Sequence, residues 1–119
     1  MSAGEINALV VVRDDALGRM GADAPDTLVF LGDQANTTSR AAHVVLPLAS
    51  LVEQAGTAIN AAGRVQRRSR GPLPTGDSLP GHEGIDRLAQ AAGGSVAAGS
   101  ASAVFEEMAS KYSGLQGMT

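Results

Sequence analysis

A chain of 119 residues has room for one domain with a core and not for two. Hydrophobic residues at 44% and charged residues at 18% exclude the weakly hydrophobic, highly charged composition of disordered chains. The absence of cysteine excludes disulfides, thiolate nucleophiles, thiolate-held iron–sulfur clusters and cysteine zinc sites, and a net charge of −3 gives no global pull toward nucleic acid or an anionic membrane.

Ile6 to Val12, "INALVVV", is a β-branched apolar run closed by Arg13-Asp14-Asp15, and it predicts a strand buried on both faces. Asp14 or Asp15 then caps a short helix carrying Ala16, Leu17 and Met20, with Gly18 and Gly21 weakening and ending it. Pro25-Asp26 breaks the chain before a second apolar run, "TLVFLG". "DQANTTSRAA" offers several helix caps, and "HVVLP" is a third buried run, stopped by Pro47. Three such runs joined by short polar or helical links predict parallel strands with helical crossovers, half of a Rossmann-like sheet.

The texture changes at Gly56. "GTAINAAGRVQRR" reads as a polar loop or irregular hairpin, and "GPLPTGDSLPG" holds three of the five prolines and is an ordered connector or a linker. Beyond it, Ile85, Leu88, Ala89 and Ala92, and then Val104, Phe105, Met108 and Tyr112, recur at helical spacing. They predict two C-terminal helices, with Phe105 and Tyr112 as core anchors and the low-complexity "GGSVAAGSAS" as a mobile link between them. The expected organisation is therefore an α/β lobe over residues 1–70, a Pro/Gly-rich connector over 71–81 and a helical segment over 82–119. With only three aromatic residues the core is aliphatic, and modest stability is expected.

Chemistry is sparse. His43 and His82 stand far apart without an HxxxH or HExxH pattern, so no metal site is expected, and His43 reads as a satisfied strand histidine. "GDQAN" after the second run is not GxGxxG, and no phosphate-binding GxxxxGK[ST] occurs. The adjacent pairs Asp14-Asp15 and Glu106-Glu107 point apart and make poor acid/base dyads. The opening "MSAGE" and the short apolar run after it predict neither a signal peptide nor a membrane span, which places the chain in the cytosol or a matrix-like compartment.

One constellation stands out in His43 to Gln66: a strand ending Leu-Pro, then Glu53, Gly56-Thr57, Asn60 and Gly63-Arg64-Val65-Gln66. This stretch resembles the molybdopterin oxidoreductase family in its third, α/β domain. The Gly-Arg-Val-Gln ending is most like the large iron–sulfur subunit of respiratory NADH:quinone oxidoreductase, complex I, and the opening "GEINALVVV" and closing "FEEMASKYSGLQGMT" are similar to the corresponding segments.

The resemblance implies a C-terminal piece of such a subunit, a structural scaffold in the peripheral arm on the inner side of the respiratory membrane. Its partners would be the other subunits, with electron transfer carried elsewhere and no catalytic residue in this chain. It further implies cofactor contacts at Thr57, Asn60 and Arg64 in relatives that hold a pterin: hydroxyl and amide groups for base or pterin edges and a planar guanidinium for phosphate. The scaffold role is favoured, with Glu53 and Arg64 pairing with each other or capping local backbone. No cofactor is then held by this chain alone. The alternative is a fragment of a formate-dehydrogenase-like molybdenum enzyme contacting molybdopterin guanine dinucleotide through those three residues.

A third alternative is an independent binding module that uses the arginines on an acidic partner. Arg64, Arg67, Arg68 and Arg70 put four of nine basic residues into seven positions, while Asp14, Asp15, Asp23, Asp26 and Asp33 crowd the first third. The run reads either as a clamp for phosphate or an acidic surface or as a solvated strand edge, and the edge is favoured. Without interleaved aromatics, nucleic acid is not an expected partner.

Overall fold

The structure is a computed structural model, and it describes residues 6–96 and 99–118. Three parallel strands, β1 (Ala8–Val12), β2 (Thr27–Gly32) and β3 (Val44–Pro47), form one sheet in the order β1-β2-β3. The registers Leu9↔Leu28, Val11↔Phe30 and Phe30↔Val45 put odd-numbered β1 residues and even-numbered β2 residues on one face. Two five-residue crossover helices, α1 (Ala16–Met20) and α2 (Thr37–Ala41), cover that face over β1 and β2, while Val45 of β3 stays 49% exposed on it. Val11, Leu17, Leu28 and Phe30 form its core, with Leu9, Ala16 and Ala42 packed against them. The expected α/β class is what the chain adopts. A three-stranded sheet supports the Rossmann likeness only loosely.

Burial differs from expectation at both edge strands. β1 and β3 are not buried on both faces: Val10 is 49% exposed, Val12 41% and Val44 47%. Both crossovers lie on the same side, and the strands are edges, so the opposite face is covered only at β2, where Leu31 is fully buried. There α3 (Gly81–Ala91) arrives with Gly84, whose missing side chain leaves room for Leu48 and Leu31: a Cβ would stand 2.6 Å from one Leu48 methyl. Complete burial of Leu28, Phe30 and Leu31 contributes about 1.5–3 kcal/mol each. The radius of gyration, 16.0 Å, exceeds the roughly 13–14 Å of a compact chain this long.

The link from β1 to α1 also departs from expectation. Asp15 occupies the N-cap position of α1 but makes no capping bond there. Its carboxylate reaches across to α2 instead and accepts the backbone N–H and the hydroxyl of Thr38. Asp14 pairs with Arg19. The cap of α2 is the local kind: Asn36 accepts the Ser39 N–H while the Ser39 hydroxyl accepts the Asn36 N–H, a reciprocal box.

The connector is ordered. Ala49 N–H donates to Leu79 O at 2.7 Å and Leu79 N–H to Pro47 O at 3.1 Å, so Leu79 extends the sheet beside Leu48 by one parallel bridge. Buried Gln54 fixes the same junction, donating to Ala49 O and accepting the Gly81 N–H. Residues 56–68 form the predicted hairpin, β4 (Gly56–Ile59) antiparallel to β5 (Val65–Arg68). The second C-terminal helix, α4 (Ala101–Lys111), is capped by Ser100 accepting the Ala103 N–H. Tyr112 is not a core anchor: it ends α4 and is 61% exposed, whereas Phe105, seven residues earlier, faces the hairpin. Residues 1–5, which carry part of the opening similarity and of the targeting expectation, lie outside the described residues, as do residues 97 and 98 of the predicted mobile link.

Candidate functional site

A cleft of about 530 Å³ opens at the carboxyl ends of β2 and β3, where open α/β sheets generally place ligands. Gly32, Asp33, Gln34, Arg40, Pro47 and Glu53 are among its lining residues. Its walls are fixed by Arg13, which follows β1. Arg13 takes a φ of 54°, in the left-handed region that favours glycine. It is held there by its N–H donating to Leu31 O, by its guanidinium donating to Ala49 O at 2.5 Å, and by a 3.2 Å ion pair with Asp33.

Glu53 is equally engaged. Its carboxylate accepts the Ser50 hydroxyl and the Ser50 N–H, both at 2.7 Å, while its own N–H donates to Ser50 O. The Ser50 hydroxyl, then the Ser50 N–H, hold this carboxyl below the usual range. The expected local capping by Glu53 is therefore present, and its partner is Ser50 rather than Arg64. Both acids of the cleft are engaged in bonds that hold the fold, Asp33 with Arg13 and Glu53 with Ser50.

The three residues that the family resemblance singles out do not converge. Thr57 lines a second, smaller cavity of about 220 Å³ between the hairpin and α4, with Ile59, Val65, Val104, Phe105 and Met108. Asn60 opens the hairpin turn, and its side-chain oxygen accepts the Ala62 and Arg64 N–H groups at 3.0 and 2.9 Å. Gly63 closes the turn with a φ of 75° and donates to Asn60 O. Arg64 is exposed at the turn, and neither it nor Asn60 lines either of the two cavities. Thr57, Asn60 and Arg64 therefore share neither of these two cavities.

His43 is satisfied, as expected. Its ring Nδ1 accepts the Leu28 N–H at 3.0 Å and its own N–H donates to Leu28 O, which ties the start of β3 to β2. Among the described residues, no three His, Asp or Glu side chains gather as a metal site, and no helix is long and apolar enough to cross a membrane.

Arg13 and Gln54, which shape the cleft and the connector, are not marked by any sequence motif. Each works through bonds to chain segments tens of residues away, at 36 positions for Arg13 to Ala49 and 27 for Gln54 to Gly81. Pattern reading carries no signal for that. No protein-family model matches the chain, and no curated protein matches it.

Proposed function

We propose that this chain is a structural portion of a complex I peripheral-arm subunit of the molybdopterin oxidoreductase type. It supplies surface and shape to an assembly whose NADH:quinone electron transfer is carried by other parts. The observation that carries this reading is the uncovered face of the parallel sheet. Parallel sheets are ordinarily covered on both faces, and here Val10, Val12 and Val44 leave the edge strands of one face apolar and half-exposed around the part of β2 that α3 covers. Such a face completes its burial against neighbouring protein. The resemblance of His43–Gln66 names the assembly, and the engaged carboxylates of the cleft suit a part that holds shape rather than reacts.

The test is a charge placed on that face. Val44→Lys leaves the covered core untouched, because Val44 is half-exposed and opposite Val11, Leu28 and Phe30. The variant should fold with an unchanged melting temperature and lose co-purification with the other subunits. Retention of those subunits at wild-type yield would remove the face from the interface.

A further inference from the structure

The β4–β5 ribbon has a side that the fold does not use. Its registers, Gly56↔Arg68, Thr57↔Arg67, Ala58↔Gln66 and Ile59↔Val65, end at a turn where Asn60 N–H donates to Arg64 O. Hydrogen-bonded and non-bonded pairs alternate in an antiparallel ladder, so Asn60–Arg64, Ala58–Gln66 and Gly56–Arg68 are the bonded pairs. The N–H and C=O groups of Val65 and Arg67 therefore point away from β4. Among the described residues no third strand joins this ribbon, and no backbone hydrogen bond outside the ladder reaches Val65 or Arg67. One face is partly covered: Val65 is half-buried and, with Ile59 at the rim, lines the small cavity facing Val104, Phe105 and Met108 of α4. The β5 edge is open.

That edge is strongly cationic. Arg64, Arg67, Arg68 and Arg70 flank it, and none of them is in an ion pair among the described residues. Arg68 has a buried Nε with no hydrogen-bond partner. A like-charged edge repels a second copy of itself, which is how native sheets avoid self-pairing. The same charges attract an extended strand of opposite sign. We infer that the outer edge of β5 is a docking strand for an extended acidic segment of a partner protein, which adds to the ribbon as a third strand. Backbone groups of Val65 and Arg67 supply the ladder, and Arg64 and Arg68, on one face, meet carboxylates on alternate residues of the partner strand.

The inference stands on the hairpin alone and is independent of which assembly the chain serves. It is tested with the full chain and a fluorescent peptide alternating Glu and Thr, read by anisotropy and by amide exchange. Binding should protect the Val65 and Arg67 amides. It should weaken about tenfold or more in Arg64→Glu, and as much when alternate peptide nitrogens are methylated, which removes strand donors at constant charge. Arg70→Glu lies outside the ladder and gives the same loss without touching hairpin pairing. No binding by the wild type, equal binding of the methylated peptide, unprotected Val65 and Arg67 amides, or tighter binding of polyuridylate than of the peptide would each overturn it.

Discussion

Asp15 accepts two hydrogen bonds from one residue, the N–H of Thr38 at 2.8 Å and its hydroxyl at 2.9 Å, while that hydroxyl accepts the Leu17 N–H at 2.9 Å. Two helices of five residues each are too short to hold themselves, and this relay fastens α1 to α2 above the core. Thr38 is fully buried. Thr38→Val preserves its shape and strands the Leu17 N–H, so unfolding free energy should fall by about 1–3 kcal/mol in a urea titration. An unchanged midpoint would mean that the relay contributes nothing.

The same carboxylate sets an acid limit. The Thr38 N–H, above all, holds the Asp15 carboxyl below its ordinary range, and Ser50 does the same for Glu53. With the folded-state value depressed, the unfolded chain binds more protons near the ordinary carboxyl range. The stabilisation is therefore complete above that range and is lost as pH falls through the folded-state values. Melting temperature should hold level from neutrality down to about pH 5 and drop below roughly pH 4.5, with a shallower drop in Asp15→Asn.

Gly84 is a glycine inside a helix, where alanine ordinarily stabilises. Here a side chain would enter the space of Leu48, which is itself buried. Gly84→Val should lower stability by about 1–3 kcal/mol, measured by thermal and denaturant unfolding, because Leu48 must leave its rotamer or α3 must lift from the sheet. A neutral result would place α3 farther from Leu31 and Leu48.

Asn60 separates the structural from the cofactor account of its loop. Its side-chain oxygen holds the hairpin turn through Ala62 and Arg64, so Asn60→Ala should cost about 0.5–1.5 kcal/mol. Neither it nor Arg64→Ala should change pterin content in the purified assembly. Loss of pterin in either variant would favour the molybdenum-enzyme alternative.

The sequence made the elements legible wherever one short window held the signal. "TLVFLG" is β2 without a residue's difference, and the Gly-Gly stop after α3 ends that helix through Gly93 and Gly94 donating to Gln90 O and Ala89 O. Burial was less legible. A valine-rich run has the same composition in a central strand and in an edge strand, and strand order and crossover side alone decided that Val10, Val12 and Val44 stay open. Asp15 misled for a related reason: its position fits a local cap, while the geometry of α2 offered it two donors from Thr38. The residues singled out by family likeness lie close in sequence yet apart in space, because the hairpin turn carries Asn60 and Arg64 away from the cavity that Thr57 lines.

The most direct measurement is capture of the tagged full chain from its native cell extract, followed by identification of the bound proteins and assay of molybdenum and pterin. The scaffold account predicts NADH-dehydrogenase iron–sulfur subunits in the eluate, with molybdenum and pterin at background. Molybdenum and pterin retained in proportion to the chain, or an eluate without those subunits, would contradict it.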